Sequence, residues 1–110
     1  MTETANTGIQ VGQVVPDFKL TTYDPTKKDF GEFKLSANMK AGKWTIVFFY
    51  PADFTFVCAT EFAALAEAYP EFKEAGAEVL TVSTDTQFTH LAWQREEKQL
   101  EHVKYPMGAD

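Results

Sequence analysis

"WTIVFFYPADFTFVCATEF" (Trp44 to Phe62) begins with seven residues, Trp44 to Tyr50, that favour β-structure and carry hardly a polar atom. Such a run reads as a strand covered on both faces. Beyond it, Phe62, Leu65, Ala66, Tyr69 and Phe72 recur at i, i+3, i+4, i+7 and i+10, which is one face of a helix. Gly76 is the expected stop. Pro70 lies inside this stretch and predicts a kink, because proline removes one backbone donor and crowds the preceding turn.

Downstream, "EVLTVST" (Glu78 to Thr84) reads as a second buried strand. Asp85 is placed to cap a second helix carrying Phe88, Leu91, Ala92, Gln99 and Val103 on one side, with Trp93 and Leu100 off that stripe. Strand, helix, strand and helix in that order imply a right-handed crossover and a parallel pair. Upstream, "VVPDFKLTT" (Val14 to Thr22) holds a short strand, and "DPTKKD" (Asp24 to Asp29) a turn with proline second. "FGEFKLS" (Phe30 to Ser36) returns as a hairpin, and "NMKAGK" (Asn38 to Lys43) is a connection. Met1 to Gly8 reads as a flexible tail, leaving residues 9–110 as one domain. "VKYPMGAD" approaches a third strand with nothing after it. The expected fold is α/β with an N-terminal β-hairpin. Its sheet is thin and open-edged, incomplete at the C-terminus or completed by another chain.

Composition narrows the function classes. A formal net charge of −6 argues against nucleic acid, which needs a clustered basic surface. Lys27 and Lys28 are the only adjacent basic pair and Arg95 is the only arginine. A single cysteine forms no internal disulfide. Cys58, His90 and His102 have no metal-ligand spacing, so no metal is expected. Met1 to Gly8 lacks the apolar region of a secretory signal, and no apolar run approaches membrane-spanning length. A cytoplasmic protein is the expectation.

The chemistry centres on Cys58. If a helix begins after Thr55, the threonine hydroxyl caps it by accepting from the amide of Cys58. The sulfur then sits in the first turn, where free amides and the macrodipole favour a thiolate. This place is also the C-terminal end of a parallel strand, where open α/β sheets put their ligands. Cys58 equally lies four residues before Phe62 and seven before Leu65, on the apolar side. On geometry alone, nucleophile and core residue both stand.

Motifs separate the two. "FFYPADFTFVCATEF" resembles the active-site segment of the peroxiredoxins, whose pattern is Pro-x-x-x-Thr-x-x-Cys; Pro51, Thr55 and Cys58 match it. "VSTDTQFTHLAW" (Val82 to Trp93) resembles the following segment in the typical two-cysteine, alkyl hydroperoxide reductase type, and "VGQVVPDFKL" (Val11 to Leu20) resembles the family's opening. The resemblance implies a thioredoxin-like fold and a thiol peroxidase without a cofactor. Cys58 attacks the peroxide O–O bond and becomes a sulfenic acid. Thr55 holds the sulfur and a peroxide oxygen through its hydroxyl, and Pro51 shields the pocket.

The same resemblance makes Glu61 a supporting residue that orients an arginine; first-turn dipole compensation is its plain reading. That arginine belongs to a strand beyond these residues. Arg95, on the second helix, is not assigned its role. The resolving cysteine also belongs to a later part of the family's sequence. Implied partners are a peroxide, a thiol reductant (a thioredoxin-like protein or a flavoprotein disulfide reductase), and copies of the chain in a homodimer or ring. Asp85, Phe88 and Trp93 mark the expected interface segment. Asp53 reads as a solvated loop carboxylate and His90 as a surface or interface residue rather than a base. The competing class is a catalytically impaired peroxiredoxin-like module that binds other chains without turnover.

Overall fold

Residues 10–110, apart from the side chains of residues 56–58, are described by a computed structural model. The expected tail, Met1 to Gly8, lies outside them. The described residues form five strands: β1 (Lys19–Asp24), β2 (Asp29–Lys34), β3 (Trp44–Phe49), β4 (Ala77–Ser83) and β5 (Met107–Ala109). They make one sheet in the order β2-β1-β5-β4-β3. The helices are α1 (Leu35–Lys40), α2 (Phe56–Glu74) and α3 (Gln87–Glu96), followed by a 3-10 turn at Lys98–Leu100.

The hairpin forms as its turn chemistry directs. Lys27 N donates to Asp24 O at 3.2 Å, and Asp24 Oδ1 accepts from both the amide and the hydroxyl of Thr26. Pro25 thus occupies the position whose φ it presets. Residues expected as a connection after the hairpin instead start inside α1, whose end is closed by Ala41 N on Ala37 O.

The thin sheet expected from the sequence is corrected by β5. Three residues, Met107 to Ala109, pair parallel with β4 and antiparallel with β1, joining the hairpin to the parallel strands. Gly108 fits the close approach of the strands there. A Cβ at this position would stand 3.1 Å from Thr81 O and 3.3 Å from Leu20 Cδ1, a tight fit that would make the neighbouring strand give by a few tenths of an ångström.

β4 is buried along nearly its whole length, as expected, and pairs parallel with β3. β3 is not covered on both faces. It lies at the sheet edge, with Trp44 77% and Phe49 74% exposed. An unbroken apolar run cannot distinguish a central strand from an edge strand, because pairing partners are set by topology.

Both long helices pack on one sheet face. Phe62 and Tyr69 of α2, Trp93 of α3, and Leu100, Val103 and Tyr105 beyond it share a core with Tyr23, Tyr50, Val79 and Met107. α2 passes through Pro70 as one 19-residue helix, so the expected kink does not end it. Gly76 follows its C-cap at φ 87°, a left-handed conformation that suits glycine. The opposite face carries Leu80, Val82 and Phe33, beside an apolar groove of about 560 Å³ lined by Phe18, Leu20, Val47 and Phe49.

The second helix departs most from expectation. It is capped by Thr86, whose hydroxyl accepts from Thr89 N at 3.2 Å, rather than by Asp85. It ends at Glu96, so Gln99 and Val103 are not on it. Its buried residues are His90 and Trp93, while Phe88 is 61% exposed. Among the described residues, no helix is long and apolar enough to cross a membrane.

Candidate functional site

β3 leaves the sheet at Tyr50, whose amide still donates to Val82 O at 3.1 Å. The loop that follows, residues 50–55, therefore starts at the C-terminal end of the parallel strands. Phe54 holds φ at +61°, a conformation that bulky residues adopt at a cost. Thr55 is the N-cap, extended at φ −113° and ψ 144°, and its carbonyl accepts from Ala59 N. Cys58 is the third residue of α2 and so belongs to its first turn. The free amides of that turn and the helix dipole favour negative charge there.

Thr55 does not cap in the expected way. Its hydroxyl makes no capping bond and donates instead to Ala52 O at 2.9 Å. The side chain closes the loop on itself rather than closing the helix.

Beside Thr55 lies a shallow cleft of about 270 Å³ lined by Phe54, Thr55, Trp93, Glu96 and Glu97. Two carboxylates at its rim disfavour an anionic occupant and leave a small neutral one acceptable. Trp93 Nε1 is buried with no hydrogen-bond partner among the described residues. Pro51 is exposed and does not line this cleft. Glu61 is exposed on α2. Arg95 is exposed on α3, and its charge bears on Tyr23.

Beneath the loop is a polar network that the sequence reading missed. Asp53 is buried, not solvated, and His90 is fully buried, not on the surface. Asp53 Oδ1 accepts from Tyr50 Oη at 2.5 Å, Asp53 Oδ2 lies 2.6 Å from His90 Nδ1, and His90 Nε2 lies 2.8 Å from Gly108 O. The Asp53 amide donates to Asp85 Oδ2 at 2.8 Å, and Ser83 Oγ donates to the same oxygen. Asp85 is therefore an anchor for the loop. Burial, then the hydrogen bond to Asp53, pushes the Tyr50 phenol far above its ordinary range.

Of the three residues expected at an interface, only Phe88 is well exposed. It meets the Phe30 ring edge-on at 5.1 Å between centroids. Trp93 packs inside the chain against Phe62 and Tyr50.

The sequence pattern of the AhpC/TSA family matches residues 11–110. YkuU of Bacillus subtilis is 50% identical over 103 residues, covering 91% of this chain and 57% of that protein. The selenocysteine-containing peroxiredoxin PrxU of Peptoclostridium acidaminophilum is 45% identical over 105 residues, covering 93% and 50%. Among solved structures, the reduced 2-Cys peroxiredoxin of Plasmodium vivax superposes with a TM-score of 0.84 at 34% identity, covering 93% of this chain and 63% of that one. Mycobacterium tuberculosis AhpC gives 0.81 at 34% identity, covering 93% and 62%. The chain spans about half the length of the curated relatives it matches.

Proposed function

The chain belongs to the AhpC/TSA family, and on that footing we propose that it carries the peroxide-reacting site of a thiol peroxidase. The carrying observation is the place of Cys58: the first turn of α2, directly after a loop that leaves the C-terminal end of a parallel strand and whose Phe54 and Thr55 line a small cleft. There the helix terminus stabilises a thiolate.

The reaction balances without a cofactor. The Cys58 thiolate attacks one oxygen of a hydroperoxide, and the O–O bond breaks. The other oxygen departs with the electron pair and takes a proton to leave as water or an alcohol. Cys58 becomes a sulfenic acid, which one external thiol converts to a mixed disulfide with loss of water and a second thiol returns to the free thiol.

Thr55 contributes as an acceptor. Its proton is committed to Ala52 O, so its oxygen is free to receive a peroxide O–H. This gives a direction to the role the resemblance implies, in which the hydroxyl holds the sulfur and a peroxide oxygen. Hydrogen peroxide and small organic hydroperoxides, being neutral, suit a cleft edged by Glu96 and Glu97. Pro51 presets the turn before the cleft, and exposed Glu61 is available to orient a cation. Assembly into a homodimer or ring belongs to the same reading, with Phe88 as the exposed apolar contact. Adding one equivalent of peroxide to the reduced chain and trapping sulfenic acid tests the proposal. A labelled Cys58 peptide supports it, and a thiol left free at that peptide refutes it.

A further inference from the structure

We propose that Asp53 and His90 are a positioning pair that holds the loop before Cys58 in the conformation giving the thiol its reactivity. The inference rests on Cys58 being the reacting thiol and adds what controls it. Asp53 lies five residues before Cys58, on the same loop, whereas His90 comes from α3.

Proton placement in the pair follows from its partners. Gly108 O can only accept, so His90 Nε2 must carry a proton. One further proton then lies in the bond of 2.6 Å between His90 Nδ1 and Asp53 Oδ2, whichever atom it is formally assigned to. Both side chains are 0% exposed. The titratable groups facing the pair are Tyr50, from the end of β3, and Asp85, from the loop before α3. Among the described residues, β5 presents the Gly108 carbonyl, and α2 presents the uncharged Phe62 ring against Tyr50.

A buried polar pair is a poor way to gain stability, since apolar side chains of the same volume serve as well. What it provides here is a single permitted arrangement. Phe54, next in sequence to Asp53, holds a left-handed backbone at φ +61°, which persists only where surroundings over-determine it. Asp53 is fixed by Tyr50, His90 and Asp85 on one side of Phe54, and Thr55 is tied to Ala52 O on the other. The loop is clamped across its strained residue. Release of Asp53 frees Phe54 to relax and moves the start of α2.

The experiment reads the pH profile of Cys58 alkylation by iodoacetamide in the 110-residue chain, with circular dichroism and a thermal midpoint for each variant. Asp53→Asn keeps the geometry: its amide donates to a neutral His90 Nδ1 and its oxygen accepts from Tyr50. Asp53→Ala removes the clamp. The expected result is a parent midpoint below the ordinary thiol value of about 8.5, with Asp53→Asn following it. Asp53→Ala rises by about one pH unit and reacts about tenfold more slowly at pH 6.5. If Asp53→Ala does not fold, His90→Gln, which keeps one donor, replaces it with the same expectation.

The proposal is overturned if Asp53→Ala or His90→Gln is folded and keeps the parent profile. It is equally overturned if Asp53→Asn shifts as far as Asp53→Ala, or if both clamp-breaking variants unfold and so make the pair structural only. Peroxide oxidation is scored separately. A parent inert to peroxide whose alkylation profiles still separate refutes the peroxidase reading and leaves the positioning pair standing.

Discussion

Thr55 shows how far a residue's role can be read from its neighbours. The pattern Pro51, Thr55, Cys58 was visible in the sequence, and so was the helix beginning just after Thr55. The direction of the hydroxyl was not: it turns into the loop and donates to Ala52 O, which leaves the helix amides without it as a cap. Asp53 and His90 were misread for a deeper reason. Burial of a loop carboxylate depends on what α3 and β5 bring over it, and nothing local announces those partners. Removing the Thr55 hydroxyl should therefore affect chemistry more than fold. Thr55→Val loses one hydrogen bond, worth about 1 kcal/mol. Its oxidation by peroxide should slow by about tenfold or more, since an acceptor for the substrate proton is gone. Stopped-flow oxidation alongside urea unfolding checks this. A rate loss no larger than the stability loss explains would return Thr55 to a structural role.

At the scale of elements, β4 and the register of α2 were legible because their apolar patterns are long and one-sided. α3 was not. Counting its stripe onward to Gln99 and Val103 ignored the stop at Glu96, where the chain turns extended at Glu97, φ −91° and ψ 112°. The stripe so drawn was rotated, placing Phe88 on the packed side and Trp93 off it, while the molecule exposes Phe88 and buries Trp93. Two substitutions on this one helix should thus behave oppositely. Trp93→Ala empties a site between Phe62 and Tyr50 and should cost about 3–5 kcal/mol. Phe88→Ala, at an exposed position, should change stability by about 0.5 kcal/mol or less. Urea midpoints measure both, and sedimentation adds a reading of assembly. Phe88→Ala should shift any oligomer toward smaller species, and an unchanged distribution would remove Phe88 from the interface.

Over the whole molecule, the fold class and the approach to a third strand were legible, and the way that strand joins the hairpin to the parallel pair was not. Three residues of β5 carry the junction, too short a run for periodicity to register. The helical face of that sheet buries Tyr50, Tyr69 and Tyr105, and burial pushes all three phenols above their ordinary value of 10.0. A phenol raised in the folded state contributes stability that is complete below its unfolded value and is lost as pH rises toward the folded one. Folding should accordingly weaken from about pH 10 upward, with tyrosinate absorbance appearing together with loss of helix. Tyrosines that titrate near pH 10 while the helix signal stays constant would contradict the burial described. The central claim, that this architecture makes Cys58 a peroxide-reactive thiolate, is tested most directly by mass analysis after one equivalent of hydrogen peroxide and a sulfenic-acid trap. The account predicts the trap on the Cys58 peptide of the folded chain and no adduct anywhere in Cys58→Ser. A folded chain that consumes no peroxide and keeps Cys58 as a free thiol would contradict it.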